Sequence, residues 1–258
     1  MSGSRLFSRC DMHTHTFHSA CSSVDMSPAA IIREAETQGI EYVGITDHIH
    51  KGTDPSFLGL LRADINSIET SCKVYLGCEA DLPAVGESLV SPYVLANTDF
   101  IMVAANHFHH PAVVKPASAS REDVARLFLD MFTYAVSLEY VDVIAHPLYV
   151  MPGSYNPLAP SLLTEKDLAP AIELAVKNQV AMEISRRALM PEQRPFLVWF
   201  YKLCKEAGVK FSIGSDGHRI CDVGRTELVE PIVSELGLDD SDIWLPALRT
   251  AQHTAKPG

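Results

Sequence analysis

The stretch Tyr42-Val43-Gly44-Ile45-Thr46-Asp47-His48 decides how this chain folds. Its first five residues form a short apolar, β-branched run of the kind that makes a buried strand. Asp47 and His48 then set two metal-capable side chains at the strand's C-terminal end. Just upstream, Ser27-Pro28-Ala29-Ala30-Ile31-Ile32-Arg33-Glu34-Ala35 has helical spacing, with serine to cap it and proline at the first helical position. Gly39 ends that helix before the strand begins.

The same helix-then-strand rhythm runs through the chain. Candidate strands lie at Lys73–Gly77, Phe100–Ala104, Val141–Ala145, Val180–Ile184 and Lys210–Gly214, and the segment around Asp11-Met12-His13 makes a seventh. Helical patterns are predicted near 57–70, 120–138, 164–178 and 191–207, and in the tail near 225–236 and 240–251. Strands that alternate with helices pair in parallel. The stretches 111–120 and 149–160 read as long surface loops, because the rhythm resumes after each. The expectation is one α/β barrel domain over 1–258, with no internal repeat.

Bulk properties fit that size of core: 258 residues, 47% hydrophobic and 21% charged. The 21 Lys+Arg against 32 Asp+Glu give a net charge of −11, which disfavours extended nucleic acid as a partner. A small anionic substrate stays compatible, since bound divalent ions reverse the local sign. The six cysteines are scattered without a CxxC pair, which fits a reducing, cytoplasmic setting. No signal core and no apolar run near the ~20 residues of a membrane span is evident.

Metal-capable side chains recur where a parallel barrel presents its functional residues, at successive strand ends. His13 and His15 share one face of an extended segment. Asp47 and His48, Glu79, His107, His146, Glu183, and the Ser215-Asp216-Gly217-His218 segment follow in order. That is more than one mononuclear site uses, so two or three ions are expected.

In this order, the His13-x-His15 pair, Thr46-Asp47-His48, Glu79, His107, His146 and Ser215-Asp216-Gly217-His218 resemble the motifs of the polymerase and histidinol phosphatase (PHP) family. The resemblance spans His13 to His218 and implies a distorted (β/α)7 barrel. It also implies a first metal on His13, His15, Glu79 and Asp216, and a second on His107 and His146 bridged by Glu79. A third would sit on His48 and His218. A further family ligand falls near Ala20 or Cys21, where Cys21 or His18 is the side chain available. Zinc, manganese or iron suits such a mixed set.

The activity so implied is a metal-dependent phosphoric ester hydrolase, a phosphatase or phosphodiesterase acting on a small phosphorylated metabolite such as histidinol phosphate or a nucleotide. Metal-activated hydroxide would attack phosphorus in line. Asp216, Glu79 and His218 would stand at the reacting centre, with Asp216 or a nearby histidine handling protons. Arg186, Arg187 and Arg225 are candidate phosphate clamps. Asp11, Asp47 and Asp81 suit carboxylates that orient imidazoles. His109 and His110 suit loop packing or substrate contact, and Trp199 and Trp244 helix packing. Two alternatives compete: an amidohydrolase-type hydrolase, which calls for a bridging lysine where Glu79 stands, and a DNA-end nuclease or accessory binding module, which the acidic charge disfavours.

Overall fold

The computed structural model describes residues 5–246. After a 3-10 turn at Leu6–Arg9 come β1 (Cys10–Thr14), α1 (Pro28–Thr37), β2 (Tyr42–Ile45), β3 (His48–Ile49) and α2 (Phe57–Asn66). Then follow β4 (Lys73–Asp81), α3 (Pro92–Asn97), β5 (Phe100–Ala104), α4 (Arg121–Ser137) and β6 (Val143–Ile144). The barrel finishes with α5 (Glu165–Asn178), β7 (Ala181–Ile184), α6 (Arg194–Ala207), β8 (Phe211–Ile213) and α7 (Glu230–Leu236).

Every strand pairing is parallel, in the order β1-β2-β4-β5-β6-β7-β8, with β3 also on β4. The register shows why eight strands make a seven-stave barrel. Tyr42 to Ile45 face Lys73 to Leu76, and His48 and Ile49 resume on Glu79 and Ala80 without slippage. β2 and β3 are therefore one stave interrupted at Thr46-Asp47. The sheet nearly closes where Gly217 meets β1: its N–H donates to His13 O at 3.2 Å and its carbonyl accepts from His15 N at 3.0 Å.

Parallel strands covered on both faces are buried along their length and mostly apolar, with polar residues where they meet the site. β1, β5, β6, β7 and β8 are accordingly buried along their whole length. The helices pack outside, α4 through Val124, Phe128, Met131 and Phe132, and α6 through Leu197, Phe200, Tyr201 and Cys204. α1 is capped as its sequence requires, with Ser27 Oγ accepting from Ala30 N at 3.2 Å. Among the described residues no helix is long and apolar enough to cross a membrane.

Some boundaries differ from the sequence reading. β4 runs on to Asp81, so Glu79 lies within a strand instead of after one. α3 was not predicted, although Ser91-Pro92 repeats the cap signal of Ser27-Pro28, and Ser91 Oγ accepts from Val94 N at 3.3 Å. The predicted helix at 225–236 splits into a 3-10 segment at Arg225–Val229 and α7, because Pro231 lacks the N–H that an uninterrupted helix would use. The predicted helix at 240–251 is corrected to one 3-10 turn, Asp240–Asp242; Ile243 and Trp244 then lie along β8, with Trp244 N donating to Phe211 O at 2.8 Å. Residues 247–251 fall outside those described.

Gly44 shows how tightly β1 and β2 meet. A Cβ there would sit 2.5 Å from Met12 O and 2.9 Å from Met12 Cα, both backbone atoms that no rotamer change can move. Gly44→Ala is expected to destabilise the fold by about 1–3 kcal/mol or more, the usual range for overpacking. Urea unfolding followed by circular dichroism measures it, and an unchanged midpoint would contradict this packing.

Candidate metal centre

The staves bring one carboxylate, Glu79, into the middle of five imidazoles. Its Oε2 lies 3.3 Å from His13 Nε2, 3.5 Å from His15 Nε2 and 3.0 Å from His48 Nδ1. Its other oxygen, Oε1, lies 2.8 Å from His146 Nε2 and 3.5 Å from His107 Nε2. Asp216 closes the far side, with Oδ1 3.7 Å from His13 Nε2 and 3.5 Å from both His15 Nε2 and His218 Nδ1. The two oxygens of Glu79 thus face different histidine groups, the arrangement a bridging carboxylate needs. His146 and Asp216 reach inward from positive φ values of 28° and 54°, a costly backbone for residues other than glycine.

The donor atoms show what the cluster lacks. His13 Nε2, His15 Nε2, His48 Nδ1 and Glu79 Oε2 are buried and have no hydrogen-bond partner among the described residues. Leaving such an atom unsatisfied costs about 1–3 kcal/mol each, yet here they converge. Ligand atoms lie within 4.8 Å of one another in three groups: His13, His15 and Asp216; His48, Glu79 and His107; and His15, His48 and His218. Imidazole nitrogens with carboxylate oxygens are the donor set of zinc, iron and manganese sites. The residues therefore fit bound divalent ions.

A second layer fixes the ring orientations. Glu183 Oε1 takes His13 Nδ1 at 2.6 Å and its Oε2 takes His146 N at 2.6 Å, so one buried carboxylate sets two members of the cluster. Asp81 Oδ1 takes His107 Nδ1 at 2.8 Å, and Asn106 Oδ1 lies 3.1 Å from His146 Nδ1. Of the three aspartates read from sequence as imidazole partners, only Asp81 bonds a ring. Asp47 instead holds the loop after β1, accepting from Thr16 N at 2.9 Å and from Ser19 Oγ at 2.6 Å. Asp11 holds the closing loop, accepting from Ser215 N at 2.8 Å and Gly224 N at 2.7 Å. Glu183 and Asn106 are the site residues whose orienting roles the sequence did not disclose.

No family model matches the chain. A protein of Thermoanaerobacter sp. (strain X514) named "probable phosphatase" is 28% identical over 239 residues, covering 89% of this chain and 87% of that one. A "probable phosphatase" of Caldicellulosiruptor bescii is 26% identical over 239 residues, covering 89% and 88%. The crystal structure of histidinol phosphate phosphatase from Lactococcus lactis, complexed with zinc, L-histidinol and phosphate, shares the fold with a TM-score of 0.63 at 16% identity, covering 92% of this chain and 99% of the other. Over most of its length this chain is therefore similar to proteins named phosphatases, and it shares the fold of a histidinol phosphate phosphatase.

The electrostatics of this centre follow from crowding. Burial opposes charge on Glu79, but His13, His48 and His107 hold its carboxyl well below the usual range. Burial likewise opposes charge on Asp216, and Arg187 with His13 holds it down. Burial works against the imidazolium of His13, yet Glu183, Glu79 and Asp216 raise it well above an ordinary histidine. His48, also opposed by burial, is pushed up to about 10 by Glu79 and Cys21. His15 moves the other way, driven down by burial and by His48 beside it. Cations entering the centre displace protons from these rings.

At the position where the PHP pattern places a further ligand, the Cys21 thiol lies beside His218 and His48. His18 is elsewhere, its ring stacked on Phe57 at 5.0 Å. Burial opposes the Cys21 thiolate, but His218 and His48 bring the thiol down to about 6, against about 8.5 for a free cysteine. Thiolate is the reactive form, so in metal-free protein Cys21 alkylation is expected to rise through that pH and to be nearly complete at neutrality. Peptide mapping after iodoacetamide checks this; Cys10, Cys72, Cys78 and Cys204 are buried and should stay unlabelled. Labelling of Cys21 that begins only above pH 8 would contradict the assigned contacts.

The three candidate clamp arginines separate. Arg187 pairs with Asp216 and lies over the Tyr149 ring at 5.6 Å, so it borders the centre. Arg186 is taken by Asp222 at 2.9 Å and Arg225 by Glu227 at 2.5 Å, neither of them a residue of the cluster. His109 packs edge-on to His107, with ring centroids 5.1 Å apart. Trp244 packs on Phe100 and Trp199 on Phe196, as helix and barrel packing.

Proposed function

We propose that this protein hydrolyses the phosphoester of a small metabolite, using two or three divalent ions held around Glu79. One observation carries the proposal: buried donor atoms of His13, His15, His48 and Glu79 converge without partners among the described residues, in a chain similar over 89% of its length to a protein named a probable phosphatase. His13, His15, Glu79 and Asp216 would hold one ion, and Glu79, His107 and His146 a second. His48 and His218, with Cys21, would hold a third. Bound there, divalent ions lower the pKa of water toward ~7 and neutralise phosphoryl oxygens.

The remaining work falls to the chain's own side chains. Arg187 is the cation bordering the centre, and its planar guanidinium suits two bonds to one phosphate group. Arg186 and Arg225 pair with Asp222 and Glu227 outside the cluster, whereas the partner of Arg187 is Asp216 within it, which gives that role to Arg187. His218 is part-exposed and donates from Nδ1 to Asp216 O at 3.0 Å, which fixes its ring and leaves Nε2 as the atom that would meet an ion. Glu183 and Asp81 keep His13 and His107 turned toward the centre. Burial of Glu79 and of His13, His15, His107 and His146 excludes bulk water from that side.

Element analysis of the purified protein, followed by a panel of phosphorylated metabolites, tests this reading. Phosphate release that is lost on chelation and restored by zinc, manganese or iron is the expected result. Metal-replete protein that releases phosphate from neither monoesters nor diesters would overturn it.

A further inference from the structure

Asp81 is the last residue of β4 and lies on the same strand face as Glu79, two positions away. Its carboxylate is buried, and its Oδ1 orients His107 at 2.8 Å. That leaves Oδ2 free of the Glu79 centre, and two further imidazoles converge on it: His50 Nδ1 at 2.8 Å and His110 Nδ1 at 2.9 Å. Their rings lie 4.0 Å apart. One carboxylate oxygen and two imidazole nitrogens are thus gathered at one point.

We infer that His50, Asp81 and His110 form a separate rim site for a divalent transition ion. The three ligand atoms lie within 4.8 Å of one another. Two imidazoles with one carboxylate are the protein donors of open zinc sites, where water completes the shell. With zinc bonds of about 2.0–2.1 Å, tetrahedral donors stand roughly 3.3 Å apart, so the observed contacts need open by only ~0.5 Å. The His50 and His110 side chains are 31% and 28% exposed, which leaves water access to the remaining coordination positions. Nitrogen donors select zinc, cobalt, nickel or copper over magnesium and calcium, which prefer oxygen.

The site does not rest on the phosphoesterase reading, but it touches the same machinery. A cation on Oδ2 withdraws charge from the carboxylate whose Oδ1 holds His107, and His107 Nε2 is 3.5 Å from Glu79. Rim occupancy would thus be felt at the Glu79 centre through one residue.

The test uses full-length protein carrying its tightly held metal and freed of excess. Zinc is titrated in by calorimetry, and cobalt by visible absorption. Wild type is expected to take up one further, weaker equivalent per chain. His50→Ala and His110→Ala should each lose that equivalent while element analysis still finds the tightly held metal, and His109→Ala should keep it. Because a truncated ring could disturb the loop, His50→Gln and His110→Gln repeat the measurement with volume retained. A wild type that takes up no further equivalent, or one that survives in both His50 and His110 variants, overturns the inference.

Discussion

Glu79→Ala is expected to lose bound metal and phosphate release together. Both Glu79 oxygens are used, Oε2 toward His13, His15 and His48 and Oε1 toward His107 and His146, all within 3.5 Å. Removing the carboxylate leaves two histidine groups with nothing between them and strips the negative charge that offsets bound cations. Glu79→Gln should fail almost as fully, because an amide nitrogen has no lone pair with which to bridge. Loss of an outer hydrogen-bond partner costs about 10–100-fold in metal affinity or activity; the central bridging ligand should cost more. Element analysis and turnover on the same preparation measure it, with circular dichroism to show that the barrel persists. A Glu79→Ala protein with wild-type metal content would remove the centre from the place assigned to it.

Much of this layout was legible from the chain. Apolar runs fixed the staves because a parallel barrel buries both faces of each strand, and the metal-capable residues followed at the strand ends. What stayed hidden depends on contacts across the barrel. Glu183 looks like one more strand-end ligand, and only the fold shows it facing His13, 170 residues away. Asp47 and Asp11 sit beside histidines in sequence yet spend their oxygens on loop backbone and hydroxyls. Local sequence marks a carboxylate as near the site but says nothing of which donor reaches it first. The arginines follow the same logic: Arg186 and Arg187 are adjacent in a 3-10 turn, where neighbouring side chains diverge by about 120°, and one reaches Asp222 and the other Asp216.

That long-range contact makes Glu183→Gln the second large effect. The Glu183 carboxylate accepts from His13 Nδ1, so when a cation displaces the second proton of the ring, the one that remains stays on Nδ1 and the Nε2 lone pair faces Glu79 and Asp216. A glutamine keeps the volume but supplies one acceptor and one donor. If its oxygen faces His146 N, its NH2 group faces His13 Nδ1 and favours the tautomer with the proton on Nε2, where no cation can then bind. If it is flipped, the NH2 group opposes the His146 N–H, and a buried donor goes unsatisfied. Either orientation breaks one of two contacts of 2.6 Å. Metal affinity is expected to fall about 10–100-fold, as measured by competition with a chromophoric chelator, with turnover recovering in part at high metal concentration. Glu183→Asp keeps the acceptors on a shorter arm and should fall between glutamine and wild type. Glutamine and wild type competing equally for metal would mean that His13 does not bind through Nε2.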